Sequence, residues 1–197
     1  MSDTRVTAIL DAARKRFAHY GLSKTTMNEI AADIGMSKAA LYYYFPDKDQ
    51  LFIAVVEQDV AEFIQTMETL IARPSKASFK FKKYIGTRQD LLKRLLNLAK
   101  VESVTLTEVF NPLFDDLRQR IYQKELAFVL AILVQGIDNG EFRKVPADSY
   151  AELFLSTLVG LRTSAVTSTQ LNAPLNSDRS ERLTLLFVDV FLKSLKA

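Results

Sequence analysis

The chain has 197 residues, 48% of them hydrophobic and 25% charged, which is the balance of a globular protein with its own core. It has no cysteine and one histidine, His19, which excludes disulfides, thiolate metal sites and a cysteine nucleophile. Its longest apolar run, 126–134, is far shorter than the roughly 20 residues of a membrane span, and no signal-peptide pattern precedes the first charges, so we expect a cytoplasmic protein without cofactor or metal.

Helical periodicity runs along nearly the whole sequence, and no segment alternates apolar and polar residues as a strand does. The first predicted helix covers residues 4–20 and ends at Gly21, a residue that suits a helix C-terminus. Its apolar side chains recur at intervals of three and four residues and form one face. The pattern predicts an all-α protein.

Two short helices follow. Residues 27–34 form the first of them, with Thr26 as N-cap and Glu29 completing a capping box. Gly35 allows a tight turn, and the next helix covers residues 37–45. Two short helices joined by a glycine turn are typical of a helix-turn-helix motif. A long fourth helix is predicted from residue 48 to residue 71.

The helix at 37–45 has two different faces. Leu41 points to the core, whereas Lys38, Ala39, Tyr42 and Tyr43 form the opposite stripe. Exposed tyrosines leave apolar area in water, and such a patch usually faces a partner. Ammonium and phenol groups suit phosphates and base edges, so we predict that this helix reads the major groove of double-stranded DNA.

The segment 26–45, TMNEIAADIGMSKAALYYYF, followed by PDKDQL at 46–51, closely resembles the N-terminal signature of TetR-type transcriptional regulators. The resemblance covers about the first quarter of the chain. Residues of the preceding helix and turn fit the same signature: Ile9, Ala12, Ala13, Phe17, Gly21, Thr25 and Thr26.

The resemblance implies a set of DNA contacts. Thr25 and Thr26 would hold phosphate at a helix start, where free N–H groups favour anions. Base edges would face Lys38, Ala39 and Tyr43, and phosphates would meet Tyr42 and Lys48. The predicted DNA-binding residues are Thr25, Thr26, Ser37, Lys38, Ala39, Tyr42, Tyr43 and Lys48.

The resemblance also implies a division into a helix-turn-helix domain at 1–50 and a helical ligand-binding and dimerisation domain at 51–197. Large apolar residues near the centre of the second domain are candidates for the lining of an effector pocket, although ordinary core packing remains open for each of them. These residues are Phe63, Met67, Phe110, Phe114, Tyr122 and Phe128.

The last predicted helix, 180–195, is apolar nearly all round. A helix that is buried on one side only shows a narrower apolar stripe, so we expect this helix to be covered on more than one side. Pairing with the helix at 148–167 would give a two-fold, four-helix interface between two copies of the chain. The alternative to a dimer interface is that the helix at 180–195 lies at the centre of its own domain. The predicted interface residues are Phe154, Leu158, Leu161, Leu183, Phe187, Val190 and Phe191.

The basic residues cluster outside the helix-turn-helix segment. Residues 73–100 hold nine Lys or Arg and one acid, Asp90. Two interpretations of this run are open: it docks an anionic ligand or flanking DNA, or it is a solvated helix face. We favour the solvated face. Besides Arg73, the run comprises the stretch at 76–100: Lys76, Lys80, Lys82, Lys83, Arg88, Lys93, Arg94 and Lys100.

These features predict a ligand-responsive transcriptional regulator, a repressor in the family's commoner mode. It would bind a palindromic operator as a homodimer and be released by a small apolar or amphipathic effector. The alternative is a DNA-binding protein of the same fold without a small-molecule inducer. An all-helical enzyme is not favoured, because the sequence has neither a phosphate-binding glycine loop nor a motif of paired carboxylates.

Overall fold

The computed structural model describes residues 2–99, 115–170 and 177–196. Within these ranges the chain is helical and has no strand, which confirms the all-α class. The helices are α1 (Ser2–Tyr20), α2 (Met27–Asp33), α3 (Lys38–Tyr44), α4 (Lys48–Ala72), α5 (Ala77–Ala99), α6 (Asp115–Asp138), α7 (Ala147–Gln170) and α8 (Ser177–Ser194). The connection between α4 and α5 covers residues 73–76.

The described chain divides into two compact units. The first comprises residues 2–62 and 90–99, and the second comprises residues 63–89 and those described from 115 onward. Helices α4 and α5 therefore each contribute residues to both units. In the described ranges no helix is both long enough and apolar enough to cross a membrane, and no group of three acidic or histidine side chains is placed to hold a metal ion.

The first unit is built around the apolar faces of its short helices. Phe17 of α1, Ile30 of α2 and Leu41 of α3 are completely buried. The Phe17 ring meets the ring of Phe52 on α4 edge-on, with 5.2 Å between the centroids. Because three helices converge on these few side chains, the core fixes the angle at which α3 presents its outer face.

The second unit has an aromatic core. Helix α6 packs against α7, and α7 packs against α8. The centroid of the Phe154 ring on α7 lies 5.1 Å from the ring centroid of Phe81 on α5 and 4.7 Å from that of Phe191 on α8. All three rings are buried, and their tilted and edge-on contacts are the arrangements that aromatic pairs prefer.

Part of the basic run lies in this core, so the predicted solvated face is wrong for two of its residues. Lys80 is fully buried, and its ammonium donates to the carbonyl oxygen of Ile71 at 2.6 Å and to Oε1 of Gln135 at 2.7 Å. Burial lowers the pKa of Lys80. The ammonium thus ties the end of α4 to α5 and α6.

Arg88 is the second buried cation. Its Nε donates to Oε1 of Glu125 at 2.7 Å, and the Tyr84 hydroxyl donates to the same oxygen at 2.8 Å. Burial raises the pKa of the Tyr84 phenol, and the carboxylate raises it further. Burial opposes the charge of Arg88, but the adjacent Glu125 outweighs it and raises the guanidinium pKa. The pair joins α5 to α6 inside the unit.

Glu141, which follows α6, caps the start of α5. Its carboxylate accepts hydrogen bonds from the backbone N–H of Ala77 at 2.6 Å and of Ser78 at 3.1 Å, and from the Ser78 hydroxyl. Burial raises the pKa of this carboxyl, but the three hydrogen bonds outweigh burial and hold the pKa below its ordinary value. A negative charge is favourable at a helix N-terminus.

Candidate DNA-binding site

The predicted capping box is present at the start of α2. Thr26 Oγ1 accepts from the Glu29 N–H at 3.3 Å, and the Glu29 carboxylate accepts from the Thr26 N–H at 2.9 Å. Hydrogen bonds from Thr26 lower the pKa of the Glu29 carboxyl, and the bond from the Thr26 hydroxyl contributes most. Thr26 itself is exposed, but its N–H and its hydroxyl both donate to the Glu29 carboxylate, so the predicted phosphate contact would have to displace these hydrogen bonds.

The turn between α2 and α3 is fixed by its own residues. Gly35 adopts a φ of 63°, a left-handed conformation that glycine tolerates without strain. Ser37 is the N-cap of α3, and its hydroxyl accepts from the N–H of Ala40 at 3.2 Å. The sequence signals for this turn and cap are therefore confirmed, and α3 is Lys38–Tyr44.

The outer face of α3 carries the predicted stripe. Tyr43 is 85% exposed and Tyr42 is 40% exposed, and both Lys38 and Ala39 are exposed. The Lys38 ammonium lies 5.6 Å from the centroid of the Tyr42 ring. Tyr44 is half-buried and meets Tyr43 edge-on. The fold thus brings one cation and two phenols together on a protruding helix.

Two residues beside α3 are placed differently from each other. Lys48, at the start of α4, directs its ammonium to within 3.4 Å of the carbonyl oxygen of Ser23 and stays near the surface. Thr25 is buried, and its hydroxyl donates to the carbonyl oxygen of Gly21 at 2.8 Å. The Thr25 side chain therefore stabilises the turn before α2 and is withdrawn from the surface where a phosphate was predicted.

An ion pair that the sequence analysis missed holds α2 to α1. Arg16 donates to both carboxylate oxygens of Asp33, at 2.6 and 2.8 Å, and lies 3.4 Å from the Glu29 carboxylate. The hydrogen bond from Arg16 lowers the pKa of Asp33. The bidentate geometry orients α2 on α1, and hence the helix that follows it.

The six candidate pocket residues fall into three groups. Phe63, Met67 and Phe128 are buried in the second unit, and Tyr122 is half-buried. Phe63 packs against Tyr84, with 6.3 Å between ring centroids. Phe110 and Phe114 lie outside the described residues, as does Lys100 of the basic run.

The candidate dimer residues also divide by burial. Phe154, Leu158 and Phe191 belong to the core of the protomer, which accounts for their apolar character without a second chain. Leu161 and Phe187 are half-buried. Leu183 and Val190 are exposed, and so is Leu186, which the sequence analysis did not select. These three share the outer face of α8.

Comparison with known proteins agrees with this geometry. Residues 9–55 match the family model described as "Bacterial regulatory proteins, tetR family", which covers α1 from residue 9 onward, α2, α3 and the first part of α4. The match therefore includes the two capped helices and the tyrosine-bearing face.

Three relatives extend the comparison. A transcriptional regulator from Cytophaga hutchinsonii is 34% identical, with a TM-score of 0.86 over 98% of this chain and 99% of the other. An HTH-type transcriptional repressor of Mycobacterium tuberculosis is 33% identical over 98 residues, which span 45% of this chain and 50% of the relative. The fatty acid metabolism regulator protein of Bacillus subtilis is 28% identical over 136 residues, 69% of this chain and 70% of the relative.

The similarity to the Cytophaga regulator runs the full length of the chain, whereas the chain spans about half of the mycobacterial repressor. The helix-turn-helix geometry, the family match and the full-length relative all point to one class of protein. The chain belongs to the TetR family of bacterial transcriptional regulators.

Proposed function

We propose that the protein is a ligand-responsive transcriptional repressor. It binds a palindromic operator as a homodimer and leaves it when a small apolar or amphipathic effector binds. In this proposal residues 1–50 bind DNA, and residues 51–197 form the ligand-binding and dimerisation domain. The observation that carries the proposal is the exposure of Lys38, Tyr42 and Tyr43 together on one face of α3.

The chemistry of that face supports DNA as the partner. Tyr43 is 85% exposed, and exposing the apolar surface of its ring to water is unfavourable. Packing of the ring against a thymine methyl or a sugar would remove that surface from water. In this proposal the Lys38 ammonium faces base edges beside Tyr43, and the Lys48 ammonium neutralises a phosphate.

The outer face of α8 supports the homodimer. Leu186 is 59% exposed and Val190 is 56% exposed, and Leu183 precedes them by three and seven residues, which are helical intervals. Leu153 adds an exposed apolar side chain on the neighbouring α7. A second copy that covers this stripe would create a two-fold assembly, and a two-fold assembly reads a palindrome through two α3 helices.

The experiment is a selection of fragments of the source genome by the purified protein at physiological salt, followed by sequencing. We expect enrichment of a palindrome whose half-sites are centred about 10 base pairs, or a multiple of that, apart. Physiological salt is essential, because non-specific phosphate contacts dominate when the salt concentration is low. Enrichment of a site beside the protein's own gene would indicate that the protein regulates its own expression.

Failure to enrich any sequence, with folded and dimeric protein, would contradict the assignment of α3 as a reading helix. Enrichment of non-palindromic sequence would keep DNA binding and contradict the two-fold dimer. A palindrome whose binding responds to no apolar or amphipathic compound would favour the same fold acting without an inducer.

A further inference from the structure

A groove of about 710 Å³ lies along the second unit between the end of α4 and the start of α5. We call it the α4–α5 groove. It is open to solvent and distinct from the buried aromatic core. Its lining comprises Gln65, Thr66, Met67, Thr69, Leu70, Arg73, Pro74, Ser75, Phe79, Lys83 and Thr87. Its volume falls within the range of small-molecule sites, about 300–1,000 Å³.

The charged side chains found in the described part of the lining are all positive. They are Arg73 and Lys83, both exposed, and the described lining contains no carboxylate. An apolar surface lies beside them. Phe79 is 48% exposed, and the Lys83 ammonium lies 5.8 Å from the centroid of its ring. Among the described residues no carboxylate pairs with this ammonium, and an apolar surface next to it is complementary to a ligand with an apolar body and one anionic head.

The neutral side chains sharpen this assignment. The hydroxyls of Thr69 and Thr87 donate to the carbonyl oxygens of Gln65 and Lys83, at 2.9 and 3.0 Å, so their protons are already used within the helices. The Ser75 hydroxyl, by contrast, has no hydrogen-bond partner among the described residues. The Ser75 hydroxyl and the exposed Gln65 amide can therefore donate to an anion beside the two cations.

We propose that the α4–α5 groove binds an amphipathic monoanion, a carboxylate with an apolar body. The head group pairs with Lys83 and Arg73, and the body lies over Phe79 and Leu70. The basic run at 73–100 then has two structural roles, because Lys80 and Arg88 stabilise the core while Lys83 faces a ligand. The binding step does not depend on DNA recognition.

The test is isothermal titration of the full chain, without DNA, with decanoate below its micelle concentration. Decan-1-ol and decyltrimethylammonium serve as uncharged and cationic probes of the same chain length. We expect decanoate to bind more tightly than either. Since each cation is exposed, Lys83→Met and Arg73→Met should each weaken decanoate about threefold, and the double variant about tenfold.

Lys82→Met is the matched control, because Lys82 is an exposed lysine of α5 outside the groove lining, and it should leave the affinity unchanged. Thermal melts of every variant separate lost binding from lost folding. The proposal is overturned if decanoate does not bind, if the three probes bind equally, or if the double variant binds as the parent does. None of these outcomes touches the proposed operator binding, which is measured separately.

Discussion

Arg14 of α1 donates a hydrogen bond to Oδ1 of Asp59 on α4, and the Asp59 side chain is completely buried. Arg94 of α5 lies 3.8 Å from the same oxygen, and Gln58 accepts a second hydrogen bond from Arg14. The other oxygen, Oδ2, is buried without a hydrogen-bond partner in the described part of the chain. One carboxylate thus joins three helices of the first unit.

Removing this charge should destabilise the protein. Asp59→Asn leaves Arg14 without its partner, and breaking a buried pair costs about 3–5 kcal/mol. Because Arg14 is 26% exposed and water can solvate it, we expect about 2 kcal/mol, measured by urea unfolding. Glu62→Gln, which removes an exposed partner of Arg94, should cost under about 1 kcal/mol. Equal losses in the two variants would contradict a special role for Asp59.

The reading surface should respond to single substitutions without loss of stability. Tyr42→Ala and Tyr43→Ala should each weaken operator binding about tenfold, because each removes a proposed DNA contact made by an exposed side chain. Lys48→Ala should reduce the slope of log affinity against log salt by about one, the value for one phosphate contact. Fluorescence anisotropy measures both effects.

Tyr20→Ala is the control for these variants, since Tyr20 is an exposed tyrosine of α1 that is not among the predicted DNA-binding residues. Tyr43→Phe tests the hydroxyl separately from the ring. The melting temperature should stay nearly constant throughout. Unchanged operator affinity in all three predicted variants would mean that another surface reads the DNA.

The outer face of α8 should be sensitive to charge. Leu186→Glu and Val190→Glu would bury a carboxylate in the proposed interface, and we expect monomers by light scattering. Leu185→Glu is matched to them, because Leu185 is 52% exposed but points to the other flank of the helix. Phe191→Glu is unsuitable as an interface test, since Phe191 is buried in the protomer and its loss should unfold the chain. If both the Leu186→Glu and the Val190→Glu variants remain dimeric, the dimer interface lies elsewhere.

The cap on α5 predicts a dependence of stability on pH. The Glu141 pKa is lowered in the folded state, so its contribution is complete above the unfolded pKa, about 4.3, and is lost as the pH falls through the folded value. Glu141→Gln should cost about 1 kcal/mol at neutral pH, and its difference from the parent should shrink below about pH 4.

Glu152→Gln, at an exposed carboxylate of α7, should show neither the cost nor the pH dependence. Chemical unfolding at a series of pH values measures both variants. A constant difference between the Glu141→Gln variant and the parent across the acid range would show that the charge of Glu141 does not stabilise the helix start.

The local signals of the first unit could be read from the sequence because they act over few residues. Thr26 and Glu29 are three apart, and Ser37 follows a glycine turn, so the caps and the exposed face of α3 were predictable. Thr25 was not, because a threonine beside an N-cap gives no sign of whether its hydroxyl turns inward to Gly21.

Long-range polar contacts were not predictable in the same way. The partners Arg88 and Glu125 lie on different helices, and periodicity within one helix does not show which charge meets a partner. A signal did exist at Asp59, which stands within the apolar stripe of Val55, Val56 and Val60. A charge in such a stripe indicates a buried pair, although it does not identify the partner.

The burial of Lys80 and Arg88 affects how the charge of this protein acts on a polyanion. Counterion release depends on the cations that reach phosphates. Lys80 and Arg88 do not reach the surface, because they donate hydrogen bonds to Gln135 and Glu125, respectively, in the interior. The excess of bases counted in residues 73–100 therefore overstates the positive potential at the surface, and we expect the salt dependence of DNA affinity to be smaller than that count suggests.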